Sequence, residues 1–386
     1  MRKTYKFRLY PNKTTQKTLY FVLNRCRELY NAALSERRDA YRMAGKSITY
    51  YDQQNDFPEI KHEIRPEYED IAAHVLQDVL NRLHKAFQNF FRCCKNGENP
   101  GYPRFQGRNR YDSFTYPDGA GWQFDGHYVL LTKIGSINVK LHRPLEGKIK
   151  TVTIKREVDQ WYVYFSCEVP EPEKLEVRYE DVGVDLGVTH LATLSNGEMI
   201  EHPRYYRRAK KTLERRQQAL SRKKRESHRR DKARKLVGKA HRKVARQRKD
   251  FLHKESRKLV NRYQVIVFED IQIRNLTKHA KPKQDEATAL YLPNGASAKS
   301  GLTQSILDAG WGTFMQLCRV KAAWAGRSIV KVNPRYTSQV CSQCGTVRKK
   351  TLEERWHSCE CGVELDRDVN AAMNILRLGT GQLGNE

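Results

Sequence analysis

The sequence predicts a multidomain α/β protein, in which a β-barrel interrupted by helices is followed by a second α/β unit. Three observations lead to this prediction. Residues 112 to 170 form short segments in which apolar and polar residues alternate, as in half-buried strands. Residues 11 to 107 are mostly helical in pattern. From residue 182 onward, buried strands such as VIVFEDI alternate with long helical stretches.

The first strand is predicted to join the later sheet. Residues 2 to 9 (RKTYKFRL) alternate like a strand and are stopped by Pro11. No partner strand lies nearby in the sequence, so the helical segment that follows is expected to be an insertion into the barrel. Its helices are predicted over about 14–45 and 66–94, with a loop over 95–107.

The second unit is predicted to begin with a strand that contains Asp185. A bend at Gly187, a second strand and an Asn196-Gly197 turn follow it. The remaining predicted elements are a basic helical region over 204–262, a strand over 265–271, a loop over 277–302, a helix over 303–325 and a strand over 328–333.

The charge of the chain predicts a polyanionic partner. The formal net charge is +28 and the isoelectric point is near 9.8. Nucleic acid is the first candidate, and an acidic membrane surface is the alternative. No apolar run approaches the ~18 residues of a spanning helix, and the charged start MRKTYKFR is unlike a signal peptide. We therefore expect a soluble, intracellular protein that does not associate with a membrane.

The segment 204–262 concentrates this charge. It contains 26 lysines and arginines against 5 acidic residues, which is about three quarters of the net charge. Leucines and valines recur along it as a helical seam that includes Leu236, and Gly238 predicts a bend between two arms. Such a region is either a solvated face or a surface that contacts phosphates, and its density favours the latter. The candidate contacts are Arg222, Lys223, Lys224, Arg225, Arg229, Arg230, Lys235, Arg242 and Lys243.

Three acidic residues occupy unusual places in apolar segments. Asp185 lies inside VGVDLGV, Glu269 ends VIVFE, and Asp368 opens the helix DVNAAMNIL. A buried carboxylate is costly unless its charge is compensated, and a single one is usually salt-bridged. Three carboxylates brought together favour two Mg²⁺ or Mn²⁺ ions, which can clamp both oxygens of a phosphodiester displacement. Asp366 is either an alternative to Asp368 or a charge that stabilises the helix N-terminus.

Four cysteines, Cys341, Cys344, Cys359 and Cys361, have spacing typical of a zinc site. The first half, CSQCG, is a zinc knuckle, whereas the second half, CECG, is a CxC pair instead of the commoner CxxC. We predict one structural zinc ion held by four thiolates, with His357 in place of Cys359 as the alternative. The other five cysteines are predicted to be buried free thiols; they are Cys26, Cys93, Cys94, Cys167 and Cys318.

Several motifs resemble the TnpB family of transposon-encoded, RNA-guided DNA endonucleases, which is related to compact type V CRISPR nucleases. The specific ones are GVDLGV, VFEDI, NPRYTSQVCSQCG and DRDVNAAMNIL; YKFRLYPN and GYPRFQG are weaker. The resemblance implies a wedge-type, OB-like barrel with an inserted helical recognition domain. A RuvC-type, RNase H-like nuclease domain interrupted by a zinc ribbon would follow. By motif, Asp185, Glu269 and Asp368 match the catalytic acids that hold Mg²⁺.

The implied domain bounds are 1–10 and 108–178 for the barrel, 11–107 for the recognition insertion, 179–338 and 364–386 for the nuclease domain, and 339–363 for the zinc ribbon. The resemblance implies Mg²⁺-dependent cleavage of double-stranded DNA beside a short target-adjacent motif. The partners would be a guide RNA from the transposon end and target DNA. The protein would act as a monomer with RNA in a prokaryotic cytoplasm, at the nucleoid when on DNA.

Two other functions are compatible with parts of the pattern. One is a nuclease-dead, RNA-guided DNA-binding repressor, against which the three intact acids argue. The other is a DDE-type transposase. Its acids follow the order Asp, Asp, Glu, whereas this chain has Asp, Glu, Asp.

Overall fold

The computed structural model describes residues 1–383 apart from 109, 118, 179, 287, 352 and 353. The predicted end of the nuclease domain at 384–386 lies outside the described residues. The chain forms two compact units, Met1–Glu171 and Pro172–Glu386, and is mixed α/β. Among the described helices, none is long and apolar enough to cross a membrane.

The first unit contains a seven-stranded antiparallel sheet. The first strand of the chain pairs with two later strands, which confirms that the helices between them are an insertion. The order across the sheet is β2-β6-β7-β1-β5-β4-β3. The strands are β1 (Arg2–Tyr10), β2 (Ser113–Tyr116), β3 (Trp122–Phe124), β4 (Tyr128–Leu131), β5 (Gly135–Lys140), β6 (Lys148–Glu157) and β7 (Gln160–Glu168).

The sheet is curled. Phe124 on the edge strand β3 and Phe165 on β7 are four strands apart, which would separate them by about 19 Å in a flat sheet. Their ring centroids are nevertheless only 4.8 Å apart. The curl brings the edge toward the middle and encloses aromatic residues such as Phe7 and Phe165, which are buried.

The insertion consists of two long helices and short helical turns between them. Helix α1 (Lys13–Ala44) begins where the Asn12 side chain accepts a hydrogen bond from the backbone N–H of Thr15. Short helices α2 (Tyr50–Asn55) and α3 (Phe57–Glu59) precede α4 (Ala73–Lys95). The second helix was predicted from residue 66, which is wrong, because Pro66–Asp70 is a 3₁₀ helix and the next residue is extended.

The second unit contains a five-stranded mixed sheet in the order β10-β9-β8-β11-β14. Strands β8, β11 and β14 are parallel, whereas β9 and β10 are antiparallel to their neighbours. The strands of this unit are β8 (Asp181–Asp185), β9 (His190–Leu194), β10 (Met199–Glu201), β11 (Val265–Glu269), β12 (Lys283–Gln284), β13 (Tyr291–Leu292), β14 (Ser328–Val332), β15 (Trp356–Ser358) and β16 (Glu364–Asp366). The strand pairs β12–β13 and β15–β16 are separate hairpins.

Helices cover both faces of this sheet. Residues of α6, α8 and α9 share a buried apolar cluster with Val182 and Phe268 on one face, whereas Ile375 of α10 packs with Val265 and Val332 on the other. The helices are α5 (Tyr205–Ser221), α6 (His228–Arg262), α7 (Ile273–Leu276), α8 (Ala296–Ala309), α9 (Trp311–Ala325) and α10 (Arg367–Leu383).

The structure corrects the predicted breaks in the helices. The single helix predicted over 303–325 is two helices, because Gly310 has a left-handed φ of 75° between them. The predicted bend at Gly238 is wrong, since this residue lies inside α6. The chain turns instead at 222–227, where the Ser227 side chain caps α6 by accepting from the N–H of Arg230.

Three smaller predictions also fail. Leu236 was placed in the apolar seam but is 51% exposed, and Val237 is the buried residue there. The segment 277–302 was predicted to be a loop but contains a short hairpin and the start of α8. Cys26, Cys167 and Cys318 are buried free thiols as predicted, whereas Cys93 is half-buried and Cys94 is exposed, so the prediction is wrong for these two.

Helix α10 lies directly on strand β8. A Cβ atom added at Gly183 would lie 2.0 Å from the carbonyl oxygen of Ala372 and 2.6 Å from the backbone nitrogen of Leu376. A Cβ at Gly379 would similarly lie 2.5 Å from the methyl groups of Val267. Glycine at both positions therefore lets the helix backbone approach the sheet more closely than any other residue would allow.

We predict that Gly183→Ala destabilises the second unit by about 2 kcal/mol or more, because overpacking forces backbone and side chains apart. The measurement is denaturant unfolding of the purified protein. The matched control is Gly301→Ala in α8, where an added Cβ meets nothing within 4 Å. That substitution should stabilise by about 0.5–1 kcal/mol, since alanine is the better helix former. Equal effects of the two substitutions would contradict close packing at Gly183.

Candidate metal centres and nucleic-acid surface

Three predicted acids meet at one edge of the mixed sheet. Asp185 is the last residue of β8, and Glu269 is the last residue of β11. These strands are parallel, and Val184 pairs with Phe268, so both carboxylates follow at the same edge. Asp368 lies in the first turn of α10, which packs on the same strands.

The carboxylate of Asp185 lies within electrostatic range of Glu269 and of Asp368. Burial raises the pKa of Asp185 well above its ordinary value, and the charges of Glu269 and Asp368 raise it further. The guanidinium of Arg367 acts in the opposite direction on the same pKa. Burial also raises the pKa of Glu269, against a hydrogen bond from Thr337 that lowers it. The site therefore holds acids whose repulsion the protein itself compensates only in part.

Unlike the three acids of the site, Asp366 hydrogen-bonds to the backbone of α10. Its Oδ1 accepts hydrogen bonds from the backbone N–H groups of Asp368 (2.8 Å) and Val369 (3.4 Å). It therefore caps α10, as the alternative interpretation of this residue proposed. The side chain of Asp368 instead approaches the Arg367 Nε, at 3.5 Å from its Oδ1.

The donor set of the acid site fits a hard divalent cation. Carboxylate oxygens are the ligands that Mg²⁺ and Mn²⁺ prefer, and such a cation would compensate the repulsion at Asp185. Three carboxylates at one sheet edge would supply oxygen ligands for two such ions about 3.5–4 Å apart.

The four predicted cysteines form one cluster, with all Sγ atoms within 4.8 Å of one another. The Sγ atoms of Cys341 and Cys361 are 3.6 Å apart, and those of Cys344 and Cys359 are 3.5 Å apart. Four thiolates around one zinc ion at 2.3 Å would have Sγ–Sγ distances of about 3.8 Å. Hydrogen bonding to the side chain and backbone of Thr346 lowers the pKa of Cys344 to about 6, which favours the thiolate. The cluster therefore fits a tetrahedral zinc ion.

The backbone around the cluster is turned so that the CxC pair can supply two of the four sulfur ligands. Gly345 and Gly362 follow the two cysteine pairs with left-handed φ values of 79° and 89°, so each pair ends in a tight turn. The second turn closes the β15–β16 hairpin, which runs directly into α10. His357 lies outside the cluster; it is buried, and its Nδ1 contacts the Nζ of Lys350.

The basic region forms an antiparallel helical hairpin of α5 and α6, with its turn at 222–227. The side chain of Arg230 closes this turn by donating to the carbonyl oxygens of Leu220 and Lys223. Of the nine predicted contacts, Arg230 and Arg242 are half-buried, whereas Arg222, Lys223, Lys224, Arg225, Arg229, Lys235 and Lys243 are exposed.

Sequence reasoning missed two residues that position these sites. Asp308 in α8 is buried and accepts hydrogen bonds from the N–H groups of Tyr206 and Arg207, so it caps α5 from another helix. Its position in the apolar helix SILDAG was the available signal. Thr337, which donates to the carboxylate of Glu269, gave no signal beyond its place in a recognised motif.

We predict that Asp185→Asn stabilises the protein in magnesium-free buffer at neutral pH. An unfolded aspartate ionises near pH 3.9. Because the folded pKa is raised, the wild type loses stability as pH rises from about 4 to that pKa, and the loss is constant above it. The variant lacks this loss, so the difference in unfolding temperature should grow from pH 4 toward neutral pH. Each kcal/mol shifts that temperature by about 2–4 °C in a domain of this size.

The control for this substitution is Asp250→Asn, whose carboxylate is exposed and pairs with Lys254 at 2.8 Å. It should change the unfolding temperature little at any pH, because exposed ion pairs contribute little. An Asp185→Asn protein that is less stable than the wild type at neutral pH would contradict the repulsion at the acid site.

We predict about one zinc ion per chain, measured by elemental analysis of the purified protein. Cys344→Ser should remove most of it and destabilise the ribbon and α10, because zinc binding supplies on the order of 10 kcal/mol to such small folds. Cys94→Ser, which alters an exposed cysteine outside the cluster, should leave the zinc content unchanged. Well-folded wild-type protein without zinc would contradict the assignment.

Known families match three parts of the chain. A family described as "Probable transposase" matches residues 164–280, which contain Asp185 and Glu269. A "Cas12f1-like, TNB domain" matches residues 311–375, which contain the cysteine cluster and Asp368. A "Helix-turn-helix domain" matches residues 1–46, which here form strand β1 and helix α1.

Relatives and a solved structure match nearly the whole chain. The "Putative RNA-guided DNA endonuclease InsQ" of Escherichia coli (strain K12) is 31% identical over 97% of this chain and 92% of its own length. A "Putative RNA-guided DNA endonuclease" of Streptomyces pristinaespiralis is 33% identical over 98% and 90%. The fold resembles the protein in a Cas12f1–sgRNA–target DNA complex, with a TM-score of 0.58, 15% identity and coverage of 97% and 98%. On this similarity, the chain belongs to the TnpB family.

Proposed function

We propose that this chain is an RNA-guided, Mg²⁺-dependent DNA endonuclease whose nuclease centre is a RuvC-type, RNase H-like domain in the second unit. The observation that carries the proposal is the convergence of Asp185, Glu269 and Asp368 at one sheet edge. The sheet itself supports it, because three antiparallel strands are followed by two parallel ones, with acids at the ends of β8 and β11. The relatives named as RNA-guided DNA endonucleases support the substrate.

The mechanism assigns a holding role to each acid. Two bound Mg²⁺ ions would supply Lewis-acid stabilisation of the attacking and leaving oxygens of the phosphodiester. Because burial and its acidic neighbours raise the pKa of Asp185, protons would compete with the metal for this carboxylate. Glu269 is held by the hydroxyl of Thr337. Asp368 is presented from the first turn of α10, which the Asp366 cap fixes.

The zinc ion has a structural role in this proposal. The ribbon between β14 and α10 has few buried apolar residues of its own apart from the cysteines. A short segment of this kind requires a metal to fold. Because the β15–β16 hairpin continues into α10, the folded ribbon would fix the start of the helix that carries Asp368.

The nucleic-acid partners are a guide RNA and target DNA. Base pairing with the guide would select the target, while the protein would contact phosphates and a short target-adjacent duplex motif. The exposed lysines and arginines of the α5–α6 hairpin are suited to phosphates. The proposal includes an RNA from the transposon end, a monomeric protein–RNA complex, and action on prokaryotic chromosomal DNA.

The experiment that tests this function is DNA cleavage by the purified protein with its co-purifying RNA, with and without Mg²⁺. Asp185→Ala, Glu269→Ala and Asp368→Ala should each reduce cleavage by at least about 10²–10³-fold while RNA binding is retained. The matched control is Asp270→Ala, beside Glu269 but half-exposed and paired with Lys331. It should retain cleavage.

Three outcomes separate the alternatives. Guide-dependent DNA binding by the wild type without cleavage would favour a repressor, and strand joining would favour a transposase. Near-normal cleavage by Asp368→Ala would move the third metal ligand to Asp366. Sequencing of the co-purified RNA should yield one abundant species with a constant scaffold and a variable end.

We predict that neutralising Arg222, Lys223, Lys224 and Arg225 together weakens binding of matched guides of any sequence. These residues form the exposed turn between α5 and α6. If all four contact phosphates, the slope of log affinity against log salt should become shallower by roughly 3 to 4 units. Saturating RNA should restore part of the cleavage, because the acids are unchanged.

The control removes acidic charge from the same hairpin. Glu214→Gln and Glu226→Gln alter exposed residues and should not make the slope shallower. An unchanged slope in the fourfold variant would show that the turn is a solvated face. The phosphate contacts would then lie elsewhere on the chain.

A further inference from the structure

We propose that Thr337 is a positioning residue that sets the orientation of the Glu269 carboxylate and thereby the affinity of the acid site for Mg²⁺. This inference rests on the proposed function. Thr337 is 4% exposed, and its hydroxyl donates to the Glu269 Oε1. Among the described residues, it is the one side chain that hydrogen-bonds to this carboxylate. The same hydroxyl is 3.2 Å from the carbonyl oxygen of Pro334, a weaker acceptor than a carboxylate.

The backbone before Thr337 is held in an unfavourable conformation. Glu269 pairs with Val332 at the end of β14, and the chain reverses within five residues to bring Thr337 back to the acid. Tyr336 has a φ of 64°, in the left-handed region, which is unfavourable for a residue other than glycine. Strain of this kind persists only where surrounding contacts impose it, and it is concentrated at functional sites.

Two buried asparagines of α10 impose the conformation. The Nδ2 of Asn374 donates to the carbonyl oxygens of Thr337 (2.9 Å) and Val340 (2.7 Å). One turn earlier, the Nδ2 of Asn370 donates to Val340 at 2.7 Å, and its Oδ1 accepts from the N–H of Ser342 at 2.9 Å. The segment 337–342 is therefore fastened to the helix that carries Asp368.

This arrangement relates two acids that lie on different elements. Thr337 hydrogen-bonds to Glu269, and α10 both fastens Thr337 and carries Asp368. The position of this one helix therefore determines the positions of both carboxylates. The β-branched side chain of Thr337 has few rotamers, which makes its hydroxyl a stiff support. A partner that orients a metal ligand in this way typically contributes 10–100-fold to metal affinity.

The test compares Thr337→Val, which keeps the shape and removes the hydroxyl, with Thr337→Ser, which keeps the hydroxyl. The guide-loaded protein is titrated with Mg²⁺ in the cleavage assay and with Mn²⁺ followed by electron paramagnetic resonance. Thr337→Val should raise the half-saturating concentration of both ions roughly 10–100-fold, whereas Thr337→Ser should remain within about threefold of the wild type. Zinc content should stay near wild type in both, and Thr337→Val should lower the unfolding temperature only modestly, because it removes one hydrogen bond to a buried carboxylate.

The matched control is Thr380→Val on the exposed side of α10, whose hydroxyl bonds only to backbone carbonyls of its own helix. It should bind both ions like the wild type.

Unchanged metal affinity in Thr337→Val would overturn the proposal, as would equal losses in the valine and serine variants. A wild type that does not cleave DNA, combined with an intact Mn²⁺ shift, would refute the proposed function and leave the positioning role standing. A wild type that binds no Mn²⁺ would overturn both.

Discussion

The contact between the backbone of α10 and strand β8 is the constraint on which the second unit depends. It exists because Gly183 leaves room for the carbonyl oxygen of Ala372, which any Cβ would occupy. The helix that rests there does three things. It places Asp368 within electrostatic range of Asp185, it holds the segment that carries Thr337, and it continues directly from the cysteine hairpin. A shift of this one helix would therefore disturb every component of the proposed nuclease centre.

The raised pKa of Asp185 means that its ionisation opposes folding of the unit that contains it. Asp185 is buried near two other carboxylates, and the cationic side chain of Arg367 offsets only part of their effect on it. Favourable interactions elsewhere in the unit must therefore offset the unfavourable free energy of the ionised Asp185. Apolar residues on both faces of the sheet do so, together with the caps provided by Asp366 and Asp308. Acids with strongly perturbed pKa values of this kind are concentrated at functional sites.

The sequence predicted the order of the main elements and the residues that stand at their ends. Asp185 and Glu269 could be selected because a carboxylate at the end of an apolar strand is rare without a reason. The break at Gly310 and the turn at 222–227 were not predicted correctly, since a glycine in a helical pattern is compatible with both continuation and termination. Gly238 continues a helix and Gly310 ends one, and tertiary packing decides between them. The role of Thr337 depends on side chains 68 and 37 residues away, which local patterns do not reveal.

Two metal sites of different chemistry would meet at the N-terminus of α10, and ligand type separates them. The cysteine cluster offers four soft thiolates at distances that match a tetrahedral ion, which favours zinc over Mg²⁺. The acid site offers hard carboxylate oxygens, which suit Mg²⁺ that keeps part of its water shell. Asp366 lies between the two sites in the sequence, and its Oδ1 accepts hydrogen bonds from the backbone of the helix. Because Asp366 ends β16 and caps α10, the cysteine ribbon runs directly into the helical turn that carries Asp368. In the proposed arrangement the ribbon would therefore fix the position of Asp368 without sharing its metal.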